Sequence, residues 1–255
     1  MNKSELNGNE IAIIGMAGRF PKSANIYEFW DNIINGRECI SFFTDEELIE
    51  EGIELNYIKN KDYIKAKGVI DNIDLFDASF FDINPKEAEL MDPQHRLLLE
   101  CAWEALENAG YDAERYEGAI GVYAGKSMSS YLFLNVYPHI KKILAAGNLQ
   151  AAIGNDKDSI TSTISYRLNL KGPSINVQSS SSTSLAAVAI ACQSLLTYQC
   201  DMALAGGITV GPPVKSGYLY DVGGIMSSDG HCRAFDAKSS GFVPGNGYGL
   251  VVLKR

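Results

Sequence analysis

Ser181 lies inside a run of small hydroxyl residues, Ser179-Ser180-Ser181-Ser182-Thr183-Ser184. Ahead of the run, Ser174 to Gln178 reads as a short β-rich segment. Behind it, Leu185 to Cys192 (LAAVAIAC) reads as a helix that is apolar almost all round. Hydroxyl residues at a helix entrance cap orphan N–H groups, and the helix dipole favours negative charge there. A strand, a sharp turn and a helix N-terminus can therefore hold one nucleophile under a positive field. A helix without a polar face is predicted to be buried, with the Ser181 side chain facing a tunnel. An ordinary capped core helix has the same pattern, so the pattern alone leaves both readings open.

Other candidate chemistry is weaker. Gly15-Met16-Ala17-Gly18 follows a strand-like run but lacks the G-x-G-x-x-G spacing of a dinucleotide site. Gly245-Asn246-Gly247-Tyr248-Gly249 is not followed by Lys-Ser or Lys-Thr, so a phosphate-binding loop is not indicated; these glycines suit tight turns. A serine hydrolase needs G-x-S-x-G around its nucleophile, and those glycines are absent around Ser181, although Asp229, His231 and Asp236 stand in an order that could complete a triad. A fluorophosphonate probe that labels Ser181 would favour that class.

The elements that must position Ser181 alternate between strand and helix patterns, which predicts an α/β fold. Strands are expected at Ile11–Gly15, Ile120–Ala124, Ser174–Val177, Met202–Gly207 and Leu250–Lys254. Helices are expected at Ile26–Asn35, Pro85–Asn108, Ile153–Leu168 and Ser182–Tyr198, with Met91-Asp92-Pro93 breaking the second. The polar and aromatic stretch Thr44 to Lys67 reads as a surface excursion rather than a domain boundary. No low-complexity linker or solenoid-period repeat is present.

Composition narrows the class. The 255 residues are 46% hydrophobic and 21% charged, ordinary globular usage that can build a sizeable core. A net charge of −9 argues against nucleic acid and anionic membranes as partners. The N-terminal MNKSELNGNE has no apolar signal region, and no apolar run approaches the ~18–20 residues of a membrane span. Cys39, Cys101, Cys192, Cys200 and Cys232 form no C-x-x-C pair and are odd in number, so neither zinc nor a disulfide framework is expected. Reduced thiols fit a cytoplasmic location.

Gly172–Gly207 resembles the nucleophile region of the β-ketoacyl synthases, in particular the ketosynthase domains of modular polyketide synthases. That family shows V-[DQ]-[TS]-[AS]-C-S-[ST]-S-L, then A-C-Q-S-L, then C-D-x-A-[LI]-A-G-G. This chain has Val177 to Leu185 (VQSSSSTSL), Ala191 to Leu195 (ACQSL) and Cys200 to Gly207 (CDMALAGG). The match has one departure: the family's catalytic cysteine falls on Ser181. Ile11 to Pro21 is similar to the family's opening strand. Phe76 to Glu100, Asn155 to Ser174 and Asp229 to Arg255 are similar to further motifs in family order.

The resemblance implies a thiolase-like fold, layered α/β/α/β/α, with residues 1–255 forming the first of two pseudo-symmetric halves of a ketosynthase. It implies transfer of an acyl chain from acyl carrier protein to a nucleophile at Ser181, whose backbone N–H would sit in the oxyanion hole. Decarboxylative Claisen condensation with a malonyl-type extender would follow. No cofactor would be bound directly, since substrates arrive on the phosphopantetheine of the carrier. Expected partners are acyl carrier protein, a second copy in a homodimer paired through Ser174–Val177, the remaining ketosynthase half and other polyketide synthase domains. Asn155 and Asp156 are implied to lie at a dimer loop or acyl tunnel, whereas the residues themselves allow them to be caps of the helix that follows.

The family's two essential histidines belong to H-G-T-G-T and N-x-G-H motifs, neither of which occurs here. His95 and His231 sit in other family motifs, which also account for the spacing of Asp229 and Asp236. With His139, each histidine reads as a surface or core residue. A thiol is readily lowered to a thiolate, whereas a hydroxyl needs a base. Serine at 181 therefore reads either as an inactivating substitution in a condensing enzyme or as the mark of a natural non-elongating domain that binds and passes the chain.

Overall fold

The computed structural model describes residues 8–139, 141 and 148–255. In chain order the elements begin with β1 (Ala12–Arg19), α1 (Ile26–Ile34), β2 (Ser41–Phe42), α2 (Asp45–Glu50), α3 (Leu55–Ile58), β3 (Tyr63–Ile64) and β4 (Ala66–Lys67). They continue with α4 (Pro85–Leu90), α5 (Pro93–Asn108), β5 (Ile120–Lys126), α6 (Asn148–Asn155), α7 (Ile160–Arg167) and β6 (Ser174–Asn176). The last are α8 (Thr183–Leu196), β7 (Met202–Thr209), β8 (Tyr218–Leu219) and β9 (Gly247–Lys254). These residues form two compact units. Among them no helix is long and apolar enough to cross a membrane.

The larger unit takes the residues up to Gly18, Asp74–Thr209 and Tyr248–Arg255. Its five-stranded sheet has the order β1-β9-β7-β5-β6, and β5 runs parallel to both β6 and β7. Every residue of β5 is buried, because helices cover it on both sides. Successive side chains of a strand point to opposite faces. Tyr123, with Ala203 and Ala205 of β7, packs against Ala187, Ala191 and Leu195 of α8. The alternate residues of β5 face the side occupied by α5 and α7. Small side chains on α8 and β7 let the helix lie close to the sheet; a Cβ on Gly207 would come within 3.6 Å of Ser184 Cβ.

The expected strands and helices are present: β1 runs on to Arg19, the break expected at Met91-Asp92-Pro93 is in place, and one expected helix is divided. α4 ends at Leu90 with extended backbone at Met91, and Asp92 caps α5 through Gln94 N–H (2.9 Å), with Pro93 as the first helical residue. The expected Ile153–Leu168 helix is two helices, because Asn155 ends α6 and extended backbone at Asp156 starts a separate 3₁₀ turn, Lys157–Ser159.

The expectation that α8 is buried all round is corrected. Ala187, Ala191, Ser194 and Leu195 are buried, but Leu185 is 72% exposed and Ser181 itself is exposed. An apolar surface can accept a neighbour on any side, yet packing on a single sheet covers only one of them.

The smaller unit takes Arg19–Ile73 and Val210–Gly247. Two antiparallel ribbons, β2 with β4 and β3 with β8, surround a core of Phe43, Leu48, Ile58 and Tyr63. The Thr44–Lys67 stretch, expected as a surface excursion, supplies most of that core. Its charged residues are tied down locally: Thr44 and Glu47 form a capping box, Glu47 pairs with Lys215 (2.8 Å), and Lys65 pairs with Asp45.

Candidate active site

Strand β6 leads to Ser181 through Val177, Gln178, Ser179 and Ser180. The turn Ser180–Ser182 is a single 3₁₀ turn running into α8. Ser180 has φ of +55°, a left-handed conformation that costs a non-glycine residue about 1–3 kcal/mol and must be held by its surroundings. This is the strand-to-helix turn expected from the sequence, with Ser181 at the N-terminal end of the helix.

The hydroxyl cluster does something other than the expected helix capping. No side chain caps α8. Ser182 Oγ donates to Ser179 O (2.9 Å) and Thr183 Oγ1 donates to Ser180 O (2.8 Å), while Ser179 N–H donates to Thr183 Oγ1 (3.0 Å). Because the chain enters through left-handed Ser180, these hydroxyls reach back and close the turn. The Ser181 hydroxyl takes no part in this set. The first N–H groups of α8 thus keep their capacity to stabilise negative charge.

The turn is seated on the end of β5. Val177 N–H donates to Ala124 O (3.0 Å). Gly125 must lack a side chain, since a Cβ there would lie 1.9 Å from Val177 O and 2.6 Å from Thr183 Cγ2. With the Gln178 amide oriented by its surroundings, its nitrogen donates to Lys126 O (3.2 Å) and its oxygen accepts from Lys126 N–H (3.3 Å).

The side chain of Lys126 points to the opposite face of the sheet and is fully buried. Its ammonium donates to Asp92 Oδ2 (2.7 Å) and to Asn155 O (2.7 Å). Burial pulls this lysine below its ordinary pKa, and the Asp92 carboxylate opposes that shift. Gln94 Nε2 donates to the same Asp92 oxygen (3.1 Å), and Ser127 Oγ donates to Gln94 Oε1 (2.7 Å). His95 lies beside the pair, its Nε2–H donating to Asp156 O (3.1 Å) while its buried Nδ1 has no partner. Burial, then the Lys126 charge, lower its pKa to about 4, so it is a neutral imidazole.

Asn155 and Asp156 are thereby placed. Asn155 does not cap the following helix. It is the buried last residue of α6, and its Nδ2 donates to Leu90 O (2.7 Å) and Ala151 O (2.8 Å) while its Oδ1 accepts from Ser129 Oγ (3.2 Å). Asp156 is exposed and caps the 3₁₀ turn through Lys157 N–H (2.8 Å). Both border a cavity of about 420 Å³ whose apolar wall is Met128, Leu132, Phe133 and Val136. Ser181 is not among the residues that line this cavity. Asp92 and Gln178 fall inside family motifs that give no hint of this role, and Lys126 lies outside them; a lysine closing an otherwise apolar strand was the one signal pointing to the anchor.

The family model described as beta-ketoacyl synthase, N-terminal domain, matches residues 8–255. The chain is 45% identical over 252 residues to a phenolphthiocerol/phthiocerol polyketide synthase of Mycobacterium tuberculosis, covering 96% of this chain and 17% of that protein. Among solved structures it is similar to ketosynthase twelve of the bacillaene polyketide synthase of Bacillus amyloliquefaciens, with TM-score 0.88 and 37% identity over 96% of this chain and 43% of that one. It is also similar to a cysteine-to-serine mutant of the module 6 ketosynthase of the bacillaene synthase of Bacillus subtilis, with TM-score 0.76 and 38% identity over 96% of this chain and 40% of that one. The chain therefore spans less than half the length of these relatives. With the family's strand-to-helix turn in place and the match running through the sheet on which it rests, the chain belongs to the β-ketoacyl synthase family, as the N-terminal half of a polyketide-synthase-type ketosynthase domain of thiolase-like fold.

Proposed function

We propose that this chain is the nucleophile half of a condensing ketosynthase in which serine at 181 silences the chemistry. The observation that carries the reading is the placement of Ser181 at the entrance of α8, with its hydroxyl unengaged and no side chain capping the helix. A thiolate there would attack the thioester carbonyl of an acyl chain on acyl carrier protein. The tetrahedral oxyanion would be held by the backbone N–H at 181, and collapse would release the phosphopantetheine thiol and leave an enzyme thioester. Attack by a decarboxylating malonyl-type extender on that thioester would form the new carbon–carbon bond, release carbon dioxide and free the nucleophile. Serine lacks the accessible ionised form, and no histidine among the described residues hydrogen-bonds it. The remaining half of the domain would supply the family's two histidines and cover the exposed face of α8.

The partners follow from the same reading: acyl carrier protein, other polyketide synthase domains in the cytoplasm, and a second copy of the chain. Strand β6 is an edge of its sheet, and Val177 N–H turns inward to β5. By alternation, Ser174 and Asn176 N–H face the open side, which suits pairing with a second β6 about a two-fold axis. The cavity bordered by Asn155 and Asp156 is proposed to take part of the acyl chain. No cofactor is bound directly.

A second reading is a non-elongating domain that binds and passes the chain; it accords with a Ser181 hydroxyl that no base among the described residues engages. Intact-mass analysis of the native protein carrying Ser181→Cys, incubated with an acyl thioester of the carrier, separates the two. An acyl adduct, followed by a condensed product once extender is added, supports the condensing enzyme. Absence of any adduct supports the silent gate.

A further inference from the structure

We propose that Gln178 is a positioning residue for the nucleophile at 181, its side-chain amide clamping the turn to the backbone of Lys126. The inference rests on position 181 being the nucleophile and adds a device that sets its geometry. A β-ladder holds a chain through repeated N–H and C=O pairs, and the last such pair from β6 is Val177 N–H to Ala124 O. One residue further on the chain must leave the sheet, turn through left-handed Ser180 and enter α8. Gln178 continues the ladder with its side chain, donating to Lys126 O and accepting from Lys126 N–H, so the backbone departs while the attachment stays.

The anchor is rigid for a separate reason. Lys126 is immobilised from the other face of the sheet by Asp92 and Asn155 O, both at 2.7 Å. Between Ala124 and Lys126, Gly125 lets Val177 O and Thr183 sit where a side chain would be. Three consecutive residues of β5 therefore seat the turn through a backbone bond, a missing Cβ and the Gln178 clamp. Ser180 needs such support, since its conformation is unfavourable by itself. Freed of the clamp, the turn can relax and carry position 181 away from the N–H groups of α8, whose field falls off within one turn.

The test compares proteins in the intact native polypeptide, all carrying Ser181→Cys: one with Gln178, one with Gln178→Met and one with Gln178→Glu. Methionine keeps the length and loses both hydrogen bonds; glutamate keeps the acceptor and, ionised, loses the donor. The readouts are thermal melting and the rate of alkylation by iodoacetamide across pH, which needs neither carrier nor extender. The expected result is little change in melting, a pH midpoint raised by about one unit in Gln178→Met, and about tenfold slower alkylation at neutral pH. An unchanged midpoint and rate in both variants overturns the proposal. Failure of both variants to fold overturns it too, since Gln178 would then be a determinant of the fold rather than of the turn. A Gln178 protein whose thiol has a depressed midpoint but takes no acyl chain defeats the condensing reading and leaves this comparison intact.

Discussion

Replacing Lys126 by methionine removes the ammonium from a site where it is fully buried and where two acceptors depend on it. Asp92 Oδ2 would keep only Gln94 Nε2, at 3.1 Å, and Asn155 O would lose its 2.7 Å donor. Breaking a buried ion pair from one side costs about 3–5 kcal/mol, because the remaining charge is left uncompensated. A second route gives a similar figure: each hydrogen bond involving a charged group is worth about 1.5–3 kcal/mol, and two are lost. Adding Asp92→Asn to Lys126→Met removes the stranded charge while keeping an oxygen to cap α5, and should recover about half of the loss. Urea unfolding of the native protein, the single variant and the double variant at pH 7 measures both quantities. A loss below about 1 kcal/mol in Lys126→Met, or no recovery in the double variant, would refute the assignment of this pair as the anchor of β5.

Two further outcomes are expected. His95 has a folded value of about 4 against an ordinary 6.5, so between those values the unfolded chain binds the proton more readily. Stability should be complete above pH 6.5 and fall by about 3 kcal/mol on acidification to pH 4. His95→Gln should flatten that part of the urea-midpoint profile, and an identical slope in the variant would show that another group is responsible. Asn176→Pro removes an N–H that faces away from β5 and also the side-chain bond to Asp158 O (2.6 Å). Sedimentation should then find monomers that no longer load an acyl chain on Ser181→Cys; a folded monomer that still loads would break the link between pairing and the turn.

Much of the region around Ser181 is decided by short-range chemistry, and the sequence shows it. The break expected at Met91-Asp92-Pro93 is one such case: Pro93 cannot donate within a helix and suits its first position, after Asp92 as cap. The strand-like Ser174–Val177 run and the LAAVAIAC stretch place a turn between them, and the order of motifs names the family. What the hydroxyl cluster does was not legible, because capping and turn closure use the same residues and differ by the sign of one dihedral at Ser180.

Which face of α8 is covered was not legible either. An all-apolar helix is compatible with one covering layer or two, and only the packing shows that Leu185 is left exposed while Ala187 and Ala191 meet the sheet. The anchor of the turn belongs wholly to the tertiary structure. Lys126 meets Asp92 and Gln178 only because β5 lies between β6 and β7 and its alternate side chains face different layers. A lysine at the end of an apolar strand is, read locally, a surface residue; sheet order and the two-sided burial of β5 turn it into the buried centre of the site.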